Sequence, residues 1–188
     1  MRVNASPIVS ALIVLFAAGR GMSQAGIQDV LAGSKLTSGF NMGIETSEKQ
    51  HNWLEKNTDQ GYFKLAYPSG QSWGAVFITV GPPKDFPRPL RDFSGYQTIS
   101  LEMKADPGTS VIDIGIKTNT QPDDGSETKV PIKLVPEWKT FELPLSRFAG
   151  TDLKSLYVVA EFIFANDKAQ TVYVRNVKYL ARPPKASE

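Results

Sequence analysis

Asp113, Lys117, Tyr157 and Glu161 carry the clearest chemical potential in this chain. Asp113 and Lys117 stand four apart in residues 111–118, where Ile112, Ile114 and Ile116 occupy the intervening positions. Side chains alternate across a strand, so both charges leave the face opposite the isoleucines. Tyr157 and Glu161 share that spacing in residues 156–164. There the alternation predicts Leu156, Val158, Ala160, Phe162 and Phe164 on one face and Tyr157, Val159, Glu161 and Ile163 on the other. An aromatic ring beside carboxylates and ammonium groups can stack on an apolar C–H surface while hydrogen-bonding its hydroxyls.

Two carboxylates can also hydrolyse a glycosidic bond, at about 5 to 5.5 Å apart for retention or about 6.5 to 9.5 Å for inversion. Asp113 and Glu161 are the best pair for it. Acids on an open sheet face, however, lack the burial that raises one pKa for acid work at neutral pH. The expectation is therefore binding without catalysis. His51 is the sole histidine, read as a surface residue, and no phosphate loop, nucleotide fingerprint or metal-ligand motif is present.

The tryptophans supply further rings. Trp73 opens an alternating stretch, residues 73–80, on the same face as Ala75, Phe77 and Thr79. Trp53 lies in the polar segment 47–61, where it forms either an exposed platform or a buried contact at the edge of the fold. Trp138 has the parity opposite to Phe141, Leu143 and Leu145, so it caps a strand start or covers the other surface.

The elements that must position these groups are strands. Residues 138–145, 156–164 and 170–180 read as strand, turn, strand, turn, strand, and the middle piece is apolar enough for the centre of a sheet. Residues 40–44, 62–67, 96–105, 111–118 and 128–135 add further strands. Pro131 marks the last of these as an edge or a bulge. Val172 and Val174 share a face that Val177 and Tyr179 can join only if a β-bulge falls near Arg175 and Asn176. The four prolines of residues 81–89 require a loop running between sheets. Roughly nine short strands with no long helix and no repeat predict an all-β sandwich or barrel.

The chain has 188 residues and no cysteine, which excludes thiol chemistry, zinc-thiolate sites and anchoring through a cysteine-linked lipid. Residues 1–25 read as a signal peptide: Arg2, an apolar run over residues 8–18, and Ser23-Gln24-Ala25 before the cut. The run is too short to span a bilayer. Cleavage removes Arg2 and Arg20 and no acid, reducing 21 basic residues to 19, equal to the acidic count. That balance, without a basic stripe, argues against nucleic acid. The expected organisation is a linker over residues 26–37, a β-sandwich over 38–181 and a tail over 182–188, exported to the periplasm or the medium, with no transmembrane segment after cleavage.

Three segments carry a family pattern. Asp92-Phe93-Ser94-Gly95-Tyr96 with Ile99 and Leu101 resembles the approach to a strand; Trp138, Phe141, Leu143-Pro144-Leu145-Ser146 and Phe148 resemble a strand and turn; Val172-Tyr173-Val174-Arg175-Asn176-Val177 resembles a closing strand. Together they resemble galactose-binding-like β-jelly-rolls, namely the carbohydrate-binding modules of β-glucan-degrading systems and the complex I intermediate-associated protein family. The resemblance implies a jelly-roll β-sandwich of two antiparallel sheets. It places the strands around residues 73–80, 111–118, 128–135 and 156–164 in one sheet, with Asp113, Lys117, Lys129, Lys133, Tyr157 and Glu161 outward and Trp73 at an end. The implied function is non-catalytic binding of a polysaccharide or oligosaccharide through Trp53, Trp73, Asp113, Lys117, Tyr157 and Glu161. The alternative is a protein-interaction or assembly module of the cell envelope. Such modules often hold a structural calcium with a carboxylate in the closing strand. Arg175 stands there instead, and a guanidinium offers no oxygen donor; no cofactor is expected, and Arg175 is expected to pair with a carboxylate.

Overall fold

The computed structural model describes residues 26–82, 87–109, 111–118 and 127–181. Its strands are β1 (Ile27–Ala32), β2 (Lys35–Leu36), β3 (Phe40–Thr46), β4 (Leu54–Asn57), β5 (Tyr62–Tyr67), β6 (Gly74–Val80), β7 (Tyr96–Ala105), β8 (Val111–Thr118), β9 (Thr128–Lys133), β10 (Lys139–Pro144), β11 (Leu156–Phe164) and β12 (Gln170–Ala181). They form two antiparallel sheets. One has the order β3-β6-β11-β8-β9; the other runs β10-β7-β12-β1-β2, with β5 also on β12 and β4 on β5. This is the jelly-roll sandwich that the resemblance implies, with β11 at the centre of the five-stranded sheet. Pro131 lies in the edge strand β9, where a missing amide proton costs no ladder bond.

The core lies between the sheets. Val76 and Ile78 of β6, Ile112, Ile114 and Ile116 of β8, and Phe162 and Phe164 of β11 belong to the same buried cluster as Ile99, Leu101 and Met103 of β7. Each such side chain contributes about 1.5–3 kcal/mol when removed from water. Val172, Val174, Val177 and Tyr179 of β12 are all fully buried. The bulge that makes this possible is present: the β12–β7 register shifts between Arg175 and Lys178, and Asn176 has a φ of 53°.

Two expectations are corrected. Residues 27–32 are not a linker but a strand paired with β12, whose register shifts between Asp29 and Leu31. That shift lets the neighbours Val30 and Leu31 both be buried, which regular alternation does not allow. The second correction concerns β11, where the β6 register shifts between Val158 and Ala160. Val159 therefore turns into the core cluster, while Val158 stays outside it on the opposite face. A bulge leaves one residue unpaired, and the freed Val159 carbonyl accepts a hydrogen bond of 2.7 Å from the Tyr179 hydroxyl across the core.

The family-like segments are structural. The Asp92 carboxylate accepts from the Ser94 amide, Phe93 is fully buried 4.3 Å from the Tyr179 ring, and the Arg91 backbone bridges to Leu156. Residues 1–25, expected as a signal peptide, and the expected tail over 182–188 lie outside the described residues. No described helix is long and apolar enough to cross a membrane.

Candidate functional site

Register across the five-stranded sheet sets the outward face in rows. One row runs Glu45, Ala75, Ile163, Asp113, Pro131; the next runs Gly43, Phe77, Glu161, Gly115, Lys129. A third joins Asn41, Thr79, Val158 and Lys117. The second row is the chemical centre. Glycines stand at two of its five positions, and Phe77 leans over one of them, since a β-carbon at Gly43 would sit inside its ring. At Gly115 a β-carbon would lie 3.2 Å from the Glu161 Oε2 and 2.9 Å from the Ile163 Cδ1. Neighbouring side chains take up the space at both glycines: Phe77 lies over Gly43, and Ile163 and Glu161 close over Gly115.

A depression of about 220 Å³ opens here, lined by Phe77, Arg88, Lys117, Glu127, Tyr157, Val158 and Glu161. Glu161 is only 9 % exposed, and its Oε2 has no hydrogen-bond partner among the described residues. Burial, then the charge and hydrogen bond of Glu127, push its carboxyl up to about 8. Lys117 and Lys129 pull the other way and are outweighed. Lys129 in turn pairs with Glu127, which raises the Lys129 ammonium. The expectation that acids on this face remain open to water therefore fails at Glu161.

The sequence-predicted residues divide. Asp113, Lys117, Tyr157 and Glu161 all lie on this face, on neighbouring strands β8 and β11. Trp73, immediately before β6, is 43 % exposed. Four residues on lies Phe77, about 13 Å along the strand. Tyr157 is buried beneath Arg88, whose guanidinium lies 4.7 Å from the ring centroid, so the tyrosine is not an open platform. Nor is Trp53. It is 3 % exposed, wedged edge-on against Tyr67 and Phe164 at 5.6 and 5.5 Å, and its indole donates to the Gln50 carbonyl. His51 is exposed and bonded to Glu45 at 2.9 Å.

Three contributors escaped sequence reasoning. Phe77 shares the parity of Trp73, a usable signal. Gly115 showed only as a gap between Asp113 and Lys117. Glu127 precedes β9 outside any alternating run, and nothing in the sequence tied it to Glu161.

The other sheet carries a second polar cluster. Arg175 pairs with a carboxylate, as the sequence suggested; the structure makes it Glu102, and the guanidinium lies 4.2 Å over the Trp138 ring. Asn176 donates to Glu102 and accepts from the Gly33 amide, at 2.7 and 2.8 Å. The Glu102 carboxyl is held below its ordinary range, chiefly by the Arg175 hydrogen bond. Trp138 covers the outer surface, beside Tyr62 at 5.9 Å and the Lys104 ammonium at 5.3 Å. Among the described residues no group of three or more histidines, cysteines or carboxylates is placed to hold a metal.

No protein-family model matches this chain, and no curated protein matches it. Solved structures do. A family 11 carbohydrate-binding module from Clostridium thermocellum, in complex with a β-1,3-1,4-mixed-linked tetrasaccharide, aligns over 83 % of this chain and 96 % of its own, with 18 % identity and a TM-score of 0.59. A family 30 carbohydrate-binding module aligns over 88 % and 92 %, with 13 % identity and a TM-score of 0.62. A family 29 module variant complexed with mannohexaose aligns over 81 % and 89 %, with 13 % identity and a TM-score of 0.54. The chain has the β-jelly-roll fold of carbohydrate-binding modules.

Proposed function

We propose that this is an exported, non-catalytic carbohydrate-binding domain that holds a glycan on the outward face of β3-β6-β11-β8-β9. The observation that carries the reading is the row of Gly43, Phe77, Glu161, Gly115 and Lys129: a ring, an acid and a cation beside a depression on the outward face. An apolar ring face suits the C–H surface of a pyranose, and the glutamate, lysine and arginine side chains lining the depression suit its hydroxyls. Trp73 extends the surface beyond a single sugar ring. Modules of the same fold bind a mixed-linked tetrasaccharide and mannohexaose, which supports the ligand class.

Catalysis does not follow from the raised Glu161. Its nearest carboxylate, Glu127, is hydrogen-bonded to it, and two carboxyls in contact leave no room for a sugar between them. The domain also works without calcium in this reading. Arg175 holds Glu102, the carboxylate that an ion there would need. Glycan-array screening of residues 26–188, with and without chelator, tests both statements. Chelator-insensitive binding to a β-glucan or mannan is expected; an empty array would move the assignment to a protein partner in the envelope.

A further inference from the structure

Glu161 and Glu127 meet at the centre of the outward face. Around them stand Asp113 and Lys117 from β8, Lys129 from β9, Tyr157 from β11 and Arg88 from the segment before β7; Phe77 and Thr79 of β6 add no titratable group. Two ionised carboxylates in hydrogen-bonding contact repel, and a nearly buried position strengthens that repulsion. One proton between them replaces the repulsion with a hydrogen bond. The Glu161 Oε2 is enclosed and has no hydrogen-bond partner among the described residues, and both glutamates line the depression. A sugar laid over it removes the last water from the pair, making a second negative charge costlier still.

We infer that Glu127 and Glu161 share a single proton, and that a ligand on this face is released when that proton passes to solvent. The inference rests on the glycan reading and adds its regulation. It agrees with the upward displacement of the Glu161 carboxyl. Linkage sets the sign: the protonated pair binds more tightly, so affinity is constant at low pH and falls about tenfold per pH unit once the pair ionises.

The test is isothermal titration of the full chain with the β-1,3-1,4-mixed-linked tetrasaccharide and with mannohexaose from pH 6 to 9.5. It is repeated on Glu127→Gln and Glu161→Gln, alongside a carbon-13 NMR titration of the glutamate carboxyls. The expected result is wild-type affinity falling above about pH 8, flat profiles for both variants, and a Glu161 carboxyl that titrates lower in Glu127→Gln. Binding that stays constant to pH 9.5 in the wild type overturns the inference and leaves the glycan reading standing. If neither oligosaccharide binds at any pH, the ligand linkage falls together with that reading. Both carboxyls titrating below pH 6 overturn the shared proton whatever binds.

Discussion

The Tyr179 hydroxyl of one sheet donates 2.7 Å to the Val159 carbonyl of the other, at the residue that the β11 bulge leaves unpaired. The bond supports the bulge, and the bulge turns Val158 outward and fixes the register that sets Glu161 between Phe77 and Gly115. Tyr179→Phe should cost about 1–3 kcal/mol, because it orphans a buried carbonyl. Urea unfolding measures the loss. A site effect is also expected, as weaker glycan binding, and a variant with unchanged stability and unchanged binding would deny the tyrosine this role.

Stability should depend on pH through Glu161. Its carboxyl titrates near 4.5 when unfolded and near 8 when folded, so between those values the native state holds the extra proton. Stability therefore falls as pH rises through that window and levels off above about 8. The drop is on the order of a few kcal/mol, at about 1.4 kcal/mol per pH unit. The carboxyls of Glu45, Asp92, Glu102 and Asp152 are all held low, so their losses appear only in more acidic solution. Denaturant unfolding at pH 5.5 and pH 8.5 should show the decline in wild type and little of it in Glu161→Gln. Equal slopes in the two proteins would contradict the burial of this acid.

Two tryptophans should answer differently to truncation. Trp53 is enclosed by Tyr67 and Phe164, so Trp53→Ala should remove about 3–5 kcal/mol of stability. Trp73 is exposed, and Trp73→Ala should change stability by less than about 1 kcal/mol. Binding should show the reverse order once folded protein is compared: loss of Trp73 should weaken glycan affinity. Thermal melts paired with titration calorimetry separate the two, and undiminished affinity in Trp73→Ala would confine the site to the row containing Glu161.

Calcium and chelator should leave the melting temperature unchanged. The Glu102 carboxylate already receives Arg175 and Asn176, and the guanidinium stacks on Trp138. Arg175→Ala should lower the melting temperature by several degrees, consistent with a loss of about 2 kcal/mol in a domain of this size. Scanning calorimetry in millimolar calcium is the check, and a clear upward shift for the wild type would restore a metal to this corner.

Alternation made much of the fold legible. β5, β7 and β8 are legible from it because each turns alternate residues toward the opposite sheet, and β11, buried along its whole length, is legible as an apolar run. Even the β12 bulge could be read, since Val172, Val174, Val177 and Tyr179 cannot all be buried without it. β1 escaped because its own register shift buries Val30 and Leu31 side by side. The β11 bulge escaped for a different reason: Val158 and Val159 are alike, so exchanging their faces leaves no trace in the pattern. Asp113, Lys117 and Glu161 could be assigned to one surface, but not their burial. That depends on contacts of Glu161 with Glu127 and with the bare backbone at Gly115, which no single strand's pattern contains.

The double pairing of β12 along one edge governs how the chain can reach this structure. Its first half joins β5 and its second half joins β1, while its other edge receives β7 along nearly the whole length. The pairing of Ile27 with Leu180 joins the two ends of the described chain. Three strands thus wait for the last to be made, and until it arrives their edges are open templates for other chains. Contacts so distant in sequence must close their loops before they are rewarded, which places folding in the slow, millisecond-to-second range of all-β sandwiches. The interval before β12 docks is the period in which this chain is most exposed to aggregation.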